Sequence, residues 1–301
     1  MRTTVRARLT DRARRERNLG WLLAGPAFIA MVAVTGYPIL NAVWLSLFDY
    51  RLTDPGDREF TGLGNYAMIL SDGLFWTQFG VTSLVTVVTV SVELVLGFGL
   101  AMVMHRALYL RTALRTAILV PYGIITVVSA YAWAYAFSDT YGFVNGLFSL
   151  GDFDWFGSTW SALFTVCVAE IWKTTPFMSL LLLAGLAQIP DDYLEAAKVD
   201  GARAWQRVKR VILPNMKAAI MVALLFRTLD AFRIFDSVFI MTAGAQGTET
   251  LSFLAYRQTI SRVMVGLGSA VSVILAILVV LIAVLFVKVF KTDLSQQRGE
   301  R

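Results

Sequence analysis

One cysteine, Cys167, and one histidine, His105, occur in 301 residues. A lone cysteine excludes an intrachain disulfide, and its apolar surroundings fit simple burial. A lone histidine excludes a His-based triad and leaves a catalytic zinc without enough ligands. Placed beside Arg106 at a helix end, His105 fits a solvated cap or a headgroup contact. Charge is also scarce. Asp, Glu, Lys and Arg make up 16% of the chain, against about 25% in soluble domains. No Gly-x-x-x-x-Gly-Lys-Ser/Thr phosphate loop occurs, so the chain lacks the usual motif for holding ATP phosphates.

What is abundant is apolar. Hydrophobic residues reach 57%, mean hydropathy is +0.63, and Trp and Phe are frequent, as in interfacial belts and packed membrane helices. A spanning helix needs about 20 mostly apolar residues. Six stretches qualify: Trp21–Phe48, Phe79–Met104, Leu114–Phe137, Ser161–Leu186, Met216–Met241 and Val265–Val289. The expected fold class is an all-α membrane protein. It has a basic tail over residues 1–20, a six-helix domain over 21–290 and a second tail over 291–301.

The positive charges orient it. Of 27 Lys and Arg, 20 fall in the N-terminal tail, the loops after spans two and four, and the C-terminal end. Four fall on the opposite side (Arg51, Arg58, Arg257 and Arg262) and three within spans. Lys and Arg mark the cytoplasmic side, so both termini are expected inside. This placement explains the net charge of +6 without nucleic acid. The Arg-rich start is not read as a cleaved signal peptide, because the first apolar run exceeds a 7–15-residue h-region. It serves as an orientation signal at anionic headgroups.

The loop between spans four and five, residues 190–214, is long and patterned. Pro190 ends the preceding helix, Asp192 and Glu195 have the spacing of a capping box, and Gly201 permits a sharp turn. Beyond it, Arg203, Arg207 and Arg210 form a basic stripe, and Trp205, Val208 and Ile212 an apolar one. One reading is an amphipathic helix resting on headgroups. The first half, with small Ala residues beside Glu195 and Gly201, suits docking into a cleft better.

Glu195-Ala196-Ala197, three residues, Gly201, nine residues, Val211, one residue, Leu213-Pro214 resembles the EAA loop of ABC importer permeases. Val211 stands where Ile is usual. The likeness extends over nearly the whole chain to the sugar-permease branch of maltose and glycerol-phosphate importers. It includes Leu22–Pro38, Phe60–Tyr66 and Phe235–Thr250, where Gly244 is kept but a usual Pro is replaced. The resemblance implies a permease subunit in the bacterial cytoplasmic membrane, paired with an unlike homologous permease. It is fed by a lipid-anchored or periplasmic sugar-binding protein and driven by two ATPase subunits that hold ATP and Mg²⁺. No cofactor is implied in this chain. Glu195, Ala196, Ala197, Gly201, Leu213 and Pro214 would couple to the ATPase. The overall likeness favours a disaccharide, trehalose foremost, although no single residue excludes maltose or glycerol-phosphate.

Charge inside the membrane is the remaining signal, since it costs at least about 2.5–3.5 kcal/mol at the bilayer centre. Span four carries Glu170 and Lys173, and span five carries Arg227, Asp230, Arg233 and Asp236. Arg227 lies roughly 20 Å along a helix from Pro214, and Lys173 sits at a similar height. Glu170–Lys173 and Arg227–Asp230 are also i, i+3 neighbours. These groups either brace helices or bind sugar hydroxyls. The resemblance implies a substrate role for Glu170, Lys173, Thr174, Phe177, Arg227, Asp230 and Ala231, with Trp172 and Phe232 as neighbouring aromatics. An ion-driven secondary transporter is the alternative, with the acids as proton relays. It needs inverted repeats or paired broken helices, and no convincing internal repeat is present.

Overall fold

The computed structural model describes residues 11–54, 56, 58–106 and 111–297. Arg2, Arg6 and Arg8 of the basic tail, and residues 298–301, lie outside the described residues. The chain is mostly helical. In order it forms α1 (Asp11–Leu45), strands β1 (Phe48–Tyr50) and β2 (Arg58–Phe60), then α2 (Gly64–Ser71), α3 (Gly73–Arg106), α4 (Arg111–Gly123), α5 (Thr126–Ala136) and α6 (Val144–Phe148). There follow α7 (Thr159–Leu186), α8 (Asp191–Val199), α9 (Ala204–Arg207), α10 (Leu213–Asn215), α11 (Lys217–Ala231), α12 (Asp236–Met241), α13 (Leu251–Tyr256) and α14 (Val265–Gln297). Among the described residues four helices, α1, α3, α7 and α14, are long and apolar enough to cross a membrane. Two bent pairs, Thr112–Gly123 with Thr126–Ala136 and Ala204–Asn215 with Lys217–Ala231, raise the number to six if each is one span.

The bundle is built around α7, and α3 packs along it. The approach is close because Gly97 lacks a side chain. A Cβ there would lie 2.8 Å from Met178 Cγ and 3.2 Å from the Ser179 nitrogen. Gly185 plays the same part against α11, where a Cβ would come within 2.3 Å of the Ala219 Cβ. Small residues at helix contacts let backbones approach in lipid, where association relies on packing rather than on exclusion of water. The threonines of α3 satisfy themselves within the helix: Thr82, Thr86 and Thr89 each donate to the carbonyl four residues earlier, at 2.7–2.8 Å.

Two expected spans are not continuous. The third, Leu114–Phe137, breaks after Gly123, and its halves α4 and α5 meet at 87°. Ile125 is extended there, at φ −58° and ψ 135°. A break frees carbonyls that lipid cannot satisfy, and Lys173 answers one of them, its Nζ donating to the Ile124 carbonyl at 2.6 Å. The fifth, Met216–Met241, ends its regular helix at Ala231. Residues 232–235 tighten into a turn, with Arg233 N donating to Asp230 O at 3.1 Å and Ile234 N to Ala231 O at 3.2 Å. At 15 residues α11 is about 22 Å long, short of the roughly 30 Å hydrocarbon core.

The connecting segments carry the Phe60–Tyr66 motif. Asn65 Nδ2 donates to the carbonyls of Ser46 and Phe48, both at 2.9 Å, and Tyr66 Oη pairs with Ser46 Oγ at 2.6 Å. These bonds fix α2 under the end of α1 beside the β1–β2 pair. Leu52 N donates to Val263 O at 2.9 Å, joining this corner to the start of α14.

Candidate functional site

The two helix breaks and the middle of α7 enclose a polar cavity of about 440 Å³. Tyr122 and Thr126 come from either side of the α4–α5 break. Glu170, Lys173 and Thr174 come from α7, and Asp230, Arg233, Phe235 and Asp236 from the end of α11 and the turn that follows. Each break ends a helix at the depth where these side chains are needed, so both contribute to the cavity wall. Asp236, the first residue of α12, is part of the wall.

Behind the wall lies an ion network. Arg227, 1% exposed, forms two bonds with Glu93 of α3, which is fully buried. Nε reaches Oε2 at 2.5 Å and Nη2 reaches Oε1 at 2.8 Å. Nη1 pairs with Asp230, whose side chain is 65% exposed. Thr174 Oγ1 donates to Glu93 Oε1 at 2.7 Å. Glu93, Arg227 and Asp230 thus form a chain from the packed core to the cavity, with a net charge of −1. Arg suits such a place because its planar fork matches a carboxylate and its charge is weakly hydrated. On the α7 side, Ser237 of α12 hydrogen-bonds Glu170, which ties the broken fifth segment to α7.

The sequence-based candidates divide accordingly. Glu170, Lys173, Thr174 and Asp230 line the cavity. Arg227 sits beneath it and holds Asp230. Phe177 stacks on Tyr122 at 5.3 Å and supports an aromatic wall without itself lining the cavity. Ala231 and Phe232 turn the other way into the core, Phe232 against Phe79 at 6.2 Å. Trp172 faces a separate apolar cavity and packs edge-on to Trp133 at 5.7 Å. After Ala231 the turn at 232–235 takes over from the helix, and it brings Arg233 and Phe235 to the cavity while Phe232 stays in the core. The i, i+3 pairing of Arg227 with Asp230 is present. Lys173 is directed instead to the Ile124 carbonyl and lies 6.0 Å from the Tyr122 ring centre. Glu93 is the residue that the reading of spans four and five passed over. Its signal was a lone carboxylate in the apolar run of span two.

The EAA-like loop has a definite shape. α8 starts after Pro190 with no side-chain cap, so Asp192 and Glu195 do not form the capping box that their spacing predicts. Asp191 and Asp192 occupy the first turn instead, where they favour the positive end of the helix dipole. Gly201 is left-handed at φ +76°. Gly201 N donates to Lys198 O at 3.0 Å and Ala202 N to Ala197 O at 2.9 Å, the paired bonds of a Schellman stop. Beyond α9 the chain takes a wide turn over residues 208–212, with Leu213 N donating to Val208 O. Pro214 has no N–H to give, so the regular ladder cannot continue through it. The wide turn divides the expected stripes. Ile212 is buried and Arg207 half-buried, while Arg203, Arg210 and Trp205 stay exposed. Glu195 and Ala196 are exposed on the outer face of α8, with Val199 at 88% and Trp205 at 70% exposure nearby. Ala197 and Leu213 are half-buried, and Pro214 is exposed.

Residues 93–296 match the family described as the binding-protein-dependent transport system inner membrane component. The trehalose transport system permease protein SugA of Mycobacterium tuberculosis is 51% identical over 275 residues, 91% of this chain and 89% of that protein. The trehalose/maltose transport system permease protein MalF of Thermococcus litoralis is 37% identical, with 93% and 96% covered. Among solved structures, a chain of a bacterial ABC transporter that imports alginate has the same fold. It superposes with a TM-score of 0.78 at 19% identity, covering 97% of this chain and 100% of that one. The chain is therefore a multi-pass membrane protein and belongs to the family of binding-protein-dependent transport system inner membrane components.

Proposed function

We propose that this chain is one permease half of an ABC importer that carries a disaccharide, trehalose foremost, across a bacterial cytoplasmic membrane. The cavity between the α4–α5 break, α7 and the end of α11 carries the reading. Its volume falls within the range of ligand pockets, about 300–1,000 Å³. It offers what a polyhydroxylated, uncharged ligand requires: carboxylates at Glu170, Asp230 and Asp236, cations at Lys173 and Arg233, and aromatic edges at Tyr122 and Phe235. Hydrogen bonds to charged groups are the stronger ones, and ring faces cover the apolar side of a sugar. Two relatives named for trehalose transport, at 51% and 37% identity, support the choice of sugar.

In this reading α1, α3, α4–α5, α7, α11–α12 and α14 make six crossings, with both termini in the cytoplasm. α8 to α10 form the cytoplasmic coupling loop. The exposed Glu195–Ala196 face, backed by Val199 and Trp205, docks into a separate ATPase subunit that holds ATP and Mg²⁺. An unlike second permease closes the cavity, and an extracytoplasmic binding protein delivers the sugar. Asp230→Ala or Lys173→Ala is expected to lower uptake while the complex still assembles. Uptake by both variants equal to the parent's would remove the cavity from the pathway. Arg203→Cys in an otherwise cysteine-free chain is expected to resist impermeant thiol reagents in intact cells. Its labelling from outside would overturn the orientation.

A further inference from the structure

At the end of the bundle that carries α8 lies a second cavity, of about 400 Å³. Its floor is apolar, with Leu186 at the end of α7, Ile189 just beyond it, Leu194 of α8 and the buried Ile212. Four basic side chains reach it from three separate segments: His105 and Arg106 from the end of α3, Lys198 from α8 and Arg207 from α9. No acidic residue lines it, and among the described residues no carboxylate lies within ion-pair distance of these four. α8 has two faces here. Leu194 and Lys198, four residues apart, turn toward the cavity, while Glu195, Ala196 and Val199 turn away. The wide turn at 208–212 sends Ile212 inward beside the half-buried Arg207, so this arrangement depends on the break in periodicity ahead of Pro214.

We propose that this cavity binds the phosphate headgroup of an acidic phospholipid from the cytoplasmic leaflet. The inference rests on the orientation given above, which puts the cavity at the inner end of α3 and α7. Three observations converge. Three convergent cations, Arg106, Lys198 and Arg207, without a counter-charge repel one another unless an anion is supplied. The apolar floor accepts the upper acyl region, which a freely soluble phosphate lacks. The position, at the end of two spanning helices, is where polybasic clusters meet anionic headgroups. The bound lipid joins the coupling segment to α3 and α7, so the site gives the transporter a dependence on acidic lipid that is separate from sugar recognition.

The test uses the complete transporter, purified and placed in nanodiscs of phosphatidylcholine with a minority of phosphatidylglycerol. Retained phosphatidylglycerol is counted by native mass spectrometry. Each cation near a headgroup supports binding about fivefold, so Arg106→Gln with Arg207→Gln is expected to weaken retention about 25-fold. Arg203→Gln with Arg210→Gln removes the same charge from exposed positions off the cavity and is expected to retain the lipid. Equal loss in both double variants would mean diffuse attraction and overturn the site. No loss in the first would do so too. Should the first variant fail to assemble, the parent complex is cross-linked with a photoreactive phosphatidylglycerol. Label is expected between residues 102 and 106 or 194 and 212, and label confined elsewhere refutes the proposal. Displacement of the lipid by millimolar glycerol phosphate would make a soluble phosphate the occupant and overturn the lipid assignment. Retention is read without transport, so it fails or survives independently of the sugar reading.

Discussion

Glu93→Gln replaces a carboxylate with a group of nearly the same shape at the buried end of the ion network. The structure sets the cost. Glu93 accepts two bonds from Arg227, at 2.5 and 2.8 Å, and one from Thr174 at 2.7 Å. Glutamine keeps one acceptor oxygen and presents an NH₂ where the other stood, so a donor faces a guanidinium donor. One charge-assisted bond is lost and the other weakened. Such bonds contribute about 1.5–3 kcal/mol each, and removing one partner of a buried pair costs about 3–5 kcal/mol. Asp230 still pairs with Arg227, which places the expected loss near the lower end, about 3 kcal/mol. At about 2 °C per kcal/mol for a chain of this size, the apparent melting midpoint of the purified complex falls by roughly 6 °C. Glu93→Leu combined with Arg227→Met removes both charges and roughly preserves volume. It is expected to return stability to within about 1 kcal/mol of the parent, because buried ion pairs are often replaceable by apolar groups. The single Thr174 hydroxyl proton, released from Glu93, goes to Glu170 O 2.6 Å away, and Asp230 is exposed enough to be solvated. A double variant as unstable as the single, or a harmless single, would refute this account. Transport then separates bracing from positioning. If Arg227 serves to aim Asp230 into the cavity, the stable double variant imports sugar poorly. If it serves only to brace α3 against α11, import is unchanged.

Other expectations follow from particular contacts. Gly201→Val places a β-branched residue at φ +76° with no neighbour within 4 Å. Its effect is therefore backbone strain of about 1–2 kcal/mol, seen as reduced ATPase co-purification, whereas Gly201→Asn is expected to retain the partner. Glu195→Ala leaves the loop folded, since Glu195 is exposed, and is expected to lower substrate-stimulated ATP hydrolysis. Normal stimulation would show that this face does not dock. Gly185→Ala drives a methyl to within 2.3 Å of Ala219, and the forced shift between α7 and α11 is expected to cost about 1–3 kcal/mol of thermal stability. Gly185→Ala with Ala219→Gly is expected to recover most of it.

Much of this architecture was legible because its signals are local. Apolar length gave α1, α3, α7 and α14. The EAA-like spacing gave the α8–Gly201–α9 turn, where φ +76° answers directly to the glycine. The breaks were not legible, because each is held by a group far along the chain. The gap after Gly123 is stabilised by Lys173, 49 residues away from the carbonyl it satisfies. The turn at 232–235 leads into α12, where Ser237 binds Glu170, 67 residues distant. Nearness in sequence to Asp230 made Phe232 a candidate, whereas the structure buries it in the core and places Phe235 and Asp236 on the wall. Glu93 was missed for a related reason. Its partner Arg227 is 134 residues away, so no spacing rule joins them, yet cost alone marked it. A carboxylate in the middle of a 34-residue apolar helix needs a cation, and the charges of spans four and five already included an arginine at matching depth. Intramembrane charges in chains of this kind are therefore best read across all spans together. The useful constraint is that positive and negative groups at one depth must meet, and here that constraint links α3, α7 and α11 behind a single cavity wall.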